Sequence, residues 1–125
     1  VTTPQDIALL DARKGIRMFE KVGVPILGVV ENMSMHICTN CGHAEPIFGE
    51  GGGEALGADY QVPLLGKLPL DLRIRVGLDA GQPIVAADPD CAISQLYLDI
   101  ALKVAGSVAA RAKDTSHKFP KIVIE

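Results

Sequence analysis

Leu9, Ala12, Ile16 and Phe19 recur every three or four positions with polar residues between them, a spacing that predicts an amphipathic helix running to about Lys21. Thr3-Pro4-Gln5-Asp6 reads as its start. Thr3 is a candidate cap, Pro4 suits the first helical position, and the charge of Asp6 favours a helix N-terminus. Gly23 stops the helix. Residues 24–30 are then continuously apolar and β-branched, the signature of a parallel strand covered on both faces, and Glu31-Asn32 closes it. Between residues 33 and 53 periodicity disappears and Gly, Cys and His accumulate, which predicts a long functional loop. A short helix over residues 52–60 and a second buried strand over 63–68, ending at Pro69, come next. A helix over 71–80 is stopped by Gly81, and a turn region passes Pro83 and Pro89. Ile93, Leu96, Ile100, Val104 and Val108 space a final helix over about 90–113. Residues 114–125 read as a polar tail or a short edge strand.

This order predicts a single α/β domain over residues 1–113, part of a doubly wound parallel sheet flanked by helices. Ligands of such sheets bind beyond the carboxyl ends of the strands. The segments Glu31-Asn32-Met33-Ser34 and Leu68-Pro69-Leu70-Asp71 are therefore the expected floor of a ligand site. Composition agrees with a buried aliphatic core: 125 residues, 48% hydrophobic, no Trp, two Tyr and three Phe. A net charge of −3 provides no basic footprint, so neither nucleic acid nor a membrane surface is expected as a partner. The longest apolar runs also fall short of the roughly 20 residues of a membrane span. Three cysteines, two of them in one CxxC, fit a reducing, cytoplasmic setting better than a disulfide scaffold.

Cys38 and Cys41, in Met35-His36-Ile37-Cys38-Thr39-Asn40-Cys41-Gly42-His43, are the main candidates for chemistry. Zinc or an iron-sulfur cluster generally takes four ligands, and the chain has no second CxxC. A second copy on a two-fold axis would turn two thiolates into four. A thioredoxin-type pair is the other use of this spacing, but Gly42-His43-Ala44-Glu45-Pro46 opens a helix poorly. His36 and His43 would crowd four ligands into eight residues, so they read as solvated loop histidines. Cys91, at a predicted helix start, reads as a small buried hydrophobe. Gly49-Glu50-Gly51-Gly52-Gly53 lacks the Lys and Ser/Thr of a phosphate loop, and Gly66-Lys67 lies in a strand, so the glycines read as a hinge for the cysteine loop. Asp6, Asp11 and Asp79 read as helix-terminal or solvent-facing charges. No catalytic residue is assigned.

Five separated segments together resemble the C-terminal half of the Mrp/ApbC family. They are Val1-Thr2-Thr3-Pro4-Gln5-Asp6, Gly28-Val29-Val30-Glu31-Asn32-Met33-Ser34, the Cys38/Cys41 pair, Phe48-Gly49 with its following glycines, and Leu65-Gly66-Lys67-Leu68-Pro69-Leu70-Asp71. That family comprises deviant-Walker P-loop ATPases, related to MinD, that carry and transfer iron-sulfur clusters. The resemblance reaches to about Ala110 and implies a MinD-like P-loop NTPase fold. It makes Cys38 and Cys41 cluster ligands, with a homodimer joined through the CxxC loop holding one 4Fe-4S cluster for delivery to recipient iron-sulfur apoproteins. Asn32, Pro69, Leu70 and Asp71 match an adenine pocket, and Gln5 and Asp6 match a segment near the nucleotide and the dimer face. The phosphate loop and switch segments would lie before Val1, so binding and hydrolysis of ATP with Mg are implied for a full-length parent. Val1-Thr2-Thr3-Pro4 shows neither an initiator Met nor a signal pattern, which fits a fragment whose sheet is truncated and exposes an apolar edge. The alternative is a zinc-dependent dimerisation or interaction module without nucleotide chemistry.

Overall fold

The computed structural model describes residues 1–111, so the expected helix end at Lys113 and the segment 114–125 lie outside it. The elements are α1 (Asp6–Lys21), β1 (Val29–Glu31), β2 (His36–Ile37), β3 (Ala44–Glu45), α2 (Gly52–Tyr60), β4 (Leu64–Lys67), α3 (Leu72–Asp79), α4 (Ile84–Ala87) and α5 (Ala92–Ala109).

β1 and β4 pair in parallel, Val30 opposite Gly66 and Glu31 opposite Lys67. Thr2 adds a parallel bridge on the other side of β1, donating its N–H to Val30 and accepting from Asn32 N–H. β1 is thus central, with α1 and α2 as the crossovers that parallel neighbours require. α1 turns Ile16 inward with Leu9 and Ala12 beside it, and these meet Val29 and the fully buried Leu56 of α2 to form the core. A cavity of about 390 Å³ opens beside Val1, Thr2, Ile16, Phe19 and Leu56.

The helices predicted over 52–60 and 71–80 and the strand over 63–68 are present. Three expectations need correction. Thr3 does not cap α1, because the helix begins at Asp6, two residues later than a Thr3 cap requires. Gln5 is the N-cap residue, with no side-chain cap bond. The apolar run at 24–30 yields only a three-residue strand. Val24 is exposed, and Pro63, which has no N–H, ends the neighbouring ladder at Leu64 after accepting from Val29. The loop at 33–53 contains an antiparallel hairpin, with His36 opposite Glu45 and Ile37 opposite Ala44. Strands of two residues are too short to show a period.

α5 begins at Ala92, two residues inside its expected start, with Cys91 as N-cap, and α4 occupies the expected turn region. α5 has 18 residues with mean hydropathy 1.2, long and apolar enough by composition to cross a membrane. Its apolar positions are interrupted by polar ones, so no continuous apolar run marks it in the sequence. Here its first turn packs on α4, where the completely buried Ser94 donates to the carbonyls of Ile84 and Asp88, and further along Lys103 Nζ donates to the carbonyl of Leu65 in β4 at 2.7 Å.

Ile100 of α5 approaches β4 so closely that a Cβ on Gly66 would lie 2.5 Å from its Cγ1. Gly66→Val is expected to lower stability by about 1–3 kcal/mol in urea unfolding, through overpacking. An unchanged midpoint would contradict this packing of α5.

Candidate functional site

The two cysteines sit on the turn that joins β2 to β3. Cys38 donates its N–H to the carbonyl of His43 at 2.9 Å and accepts from Gly42 N–H at 2.8 Å, which closes the turn around residues 39–42. Gly42 adopts φ +73, a left-handed conformation that a side chain would strain. Cys38 is half-buried and Cys41 exposed. Backbone N–H groups of Cys41 and then Asn40, followed by the Cys41 side chain, hold the Cys38 thiol below its ordinary pKa. The turn therefore favours a thiolate, the form that binds metal and attacks electrophiles.

Among the described residues no group of three or more His, Cys, Asp or Glu side chains converges as a metal site. The described residues of one chain thus bring a pair of thiols without further ligands. His36 is not a solvated loop residue. It lies in β2, and its Nδ1 is 3.2 Å from the carbonyl of Leu70. His43 is exposed. Cys91 is half-buried and takes part in polar contacts, its Sγ accepting from Ser94 N–H at 3.4 Å as the cap of α5.

The two strand-end segments run side by side. Ser34 donates both N–H and Oγ to the carbonyl of Leu68, each at 3.0 Å, and Leu70 donates to the carbonyl of Met35 at 2.9 Å. His36 then bridges Leu70, so the incoming limb of the cysteine hairpin continues the parallel pairing of β1 with β4. Asn32 and Asp71 nevertheless line different cavities. Asn32 shares one of about 500 Å³ with Val1, Thr2, Thr3 and Asp11. Asp71 shares one of about 480 Å³ with Thr39 and residues of α3 and α4. Pro69 and Leu70 lie between, half-buried.

Asn32 Oδ1 accepts from Met33 N–H at 2.9 Å, and Met33 is held at φ +56, uncommon for a residue with a side chain. The Asp71 carboxylate caps α3 through Arg73 N–H at 2.8 Å and is forked by the Arg73 guanidinium at 3.1 and 2.9 Å. Arg73 accordingly holds Asp71 below the usual carboxylate pKa. Gln5 and Asp6 open α1 on the surface.

The glycine run is not a hinge. Gly52 and Gly53 are buried where α2 meets the sheet, and a Cβ on Gly52 would come within 2.8 Å of Leu9, one on Gly53 within 3.0 Å of Glu31. Sequence reasoning missed the reason. Glu31, with 1% exposure, accepts from Gly53 N–H at 2.6 Å, and Lys67 lies 4.0 Å from its other oxygen while pairing with Glu54 at 2.9 Å. The available signal was a carboxylate directly after an apolar strand, a position that has to be paired if buried.

Residues 1–105 match the model of the ParA family described as NUBPL iron-transfer P-loop NTPase. The chain belongs to this family. It is 59% identical over 102 residues to an iron-sulfur cluster carrier protein of Pseudomonas fragi, covering 82% of the chain and 36% of that relative. It is 62% identical over 104 residues to an iron-sulfur cluster carrier protein of Haemophilus influenzae, covering 83% of the chain and 28% of the relative. The chain therefore spans about a third of the length of these relatives. Among solved structures it resembles the septum site-determining protein MinD of Pyrococcus horikoshii, complexed with Mg-ADP, at 30% identity and TM-score 0.66, over 90% of this chain and 42% of that one. The α/β P-loop NTPase fold expected from the sequence is thereby established.

The lowered Cys38 pKa has a direct consequence. Because the fold favours the thiolate, alkylation of Cys38 by iodoacetamide should reach half its maximal rate at a lower pH than in a denatured chain, as read by mass spectrometry across a pH series. Below that pH the advantage disappears as the thiol protonates. Coincident native and denatured midpoints would contradict the amide-stabilised turn.

Proposed function

We propose that this chain supplies the cluster-holding part of an iron-sulfur carrier. Cys38 and Cys41 of two copies together ligate one 4Fe-4S cluster, which is cargo for recipient apoproteins. The observation that carries the proposal is the thiol pair itself: a tight turn favouring thiolate, at the tip of a hairpin, in a chain of the iron-transfer family, with no further ligand from its own described residues. Four thiolates saturate a cubane cluster. Two-fold symmetry then provides the missing pair without additional sequence.

In the longer protein we assign ATP with Mg to a nucleotide site whose phosphate-binding part is not encoded in these residues. Asn32, Pro69 and Leu70 stand at the base-binding end. Asp71, committed to Arg73, shapes the start of α3 beside them. Nucleotide occupancy changes how the protomers meet and so how firmly a cluster on their axis is held. A reducing cytoplasmic setting keeps both thiols available.

Anaerobic reconstitution of the protein should give about four irons per dimer with a broad charge-transfer absorbance. Cys38→Ser should reduce bound iron to background and leave a monomer. Cys91→Ser should retain both, since a serine caps α5 as well as a cysteine does. One colourless zinc per dimer would contradict the cluster reading and favour the zinc module, and equal loss from both substitutions would move Cys91 into the site.

A further inference from the structure

Glu31 lies where three parts of the molecule meet. Its backbone carbonyl accepts Leu68 N–H at 2.8 Å, and its side chain, 1% exposed, accepts Gly53 N–H at 2.6 Å. Lys67, at the end of β4, lies 4.0 Å from the second carboxylate oxygen. A buried carboxylate is retained only where donors and a counter-charge hold it. The donor, Gly53 N–H, and the counter-charge, Lys67, belong to separate elements, so one side chain ties the start of α2 to the carboxyl end of β1 by a hydrogen bond and faces the end of β4 across an ion pair.

Gly53 is in the first turn of α2, the outgoing root of the cysteine loop. The incoming root, residues 34–36, hangs on the carbonyls of Leu68 and Leu70. Both roots of the hairpin are therefore attached to the strand ends that carry Asn32 and Pro69. The outgoing attachment has little slack, since a Cβ on Gly53 would already lie 3.0 Å from Glu31 Cβ and 3.1 Å from Leu64. Asn32 is thus one peptide bond from Glu31, and Glu31 one hydrogen bond from Gly53.

We propose that Glu31 is a positioning residue that relays nucleotide occupancy at the Asn32 and Pro69 segments to the cysteine hairpin, through its bond to Gly53 N–H. This rests on the nucleotide reading given above. It does not require that the cargo be a cluster. Glu31→Gln keeps an oxygen for Gly53 and should preserve the relay, whereas Glu31→Ala removes it. Gly53→Ala would place a Cβ 3.0 Å from both the Cβ and the carboxylate Oε2 of Glu31, so it pushes α2 away while keeping the carboxylate's charge, and it should have the same effect as Glu31→Ala.

The test uses the full-length protein, free of cluster, and reads the rate of Cys38 alkylation with and without ATP and Mg. Thermal melting and titration with a fluorescent ATP analogue confirm that each variant is folded and binds nucleotide. The wild type and Glu31→Gln should show rates that differ by about fivefold or more between the two conditions, the lower end of ordinary coupling. In Glu31→Ala and Gly53→Ala the difference should fall within about twofold while nucleotide still binds. A folded Glu31→Ala or Gly53→Ala protein with the wild-type difference would overturn the relay. So would a wild type that binds ATP without any change in alkylation, whereas a wild type that binds no ATP sinks the nucleotide reading along with it.

Discussion

The parallel pairing of β1 with β4 is the constraint on which the rest of the structure depends. Its ladder does not stop at Glu31 and Lys67. It continues through Ser34 and Met35 against Leu68 and Leu70, then through His36 into the first limb of the hairpin that presents the cysteines. The cysteine tip is thus an extension of the sheet, held by backbone hydrogen bonds that do not involve the thiols. α2 fastens the other limb through Glu31 and Gly53. A tip hung from both ends in this way can present two sulfurs in a reproducible orientation, as a site shared across a symmetry axis requires.

The chemistry of the tip follows from its small size. The six residues that join β2 to β3 carry two thiols, with amides directed at one of them, and among the described residues no carboxylates or imidazoles converge on the thiols to complete a metal site. Incompleteness suits a carrier, because ligands divided between two protomers can be separated by moving the protomers. A single-chain site would have to break bonds inside one rigid turn. The ParA-family match and the MinD-like fold place such a pair in a domain type whose relatives include named cluster carriers.

Much of this was legible in the sequence, and the exceptions share a cause. α1 and α5 announce themselves through apolar positions at helical spacing, as Leu9, Ala12 and Ile16 do, whereas α3, which has no buried residue, was marked by Gly81 beyond its end and β4 by the apolar run before Pro69. β2 and β3 have two residues each, and α4 has four, so no period could form. The run at 24–30 misled because hydrophobicity specifies neither burial, Val24 being exposed and only Val29 fully buried, nor pairing, whose start Pro63 determines. Within the site, the CxxC and the strand-end segments were visible as motifs. The role of Gly52 and Gly53 was not, since a glycine needed for close packing and one needed for flexibility are the same letter. Leu9 against Gly52, and Glu31, 22 positions before Gly53, distinguish the two cases.

The central claim is that two copies of this chain divide one cluster between them. Native mass spectrometry of the anaerobically reconstituted protein measures it most directly, because it weighs chains and inorganic content in one ion. A species of two chains carrying a single 4Fe-4S unit is expected, reverting to single chains when the cluster is removed by acid or chelator. A cluster carried by one chain alone, or a dimer whose assembly is indifferent to losing it, would contradict the account.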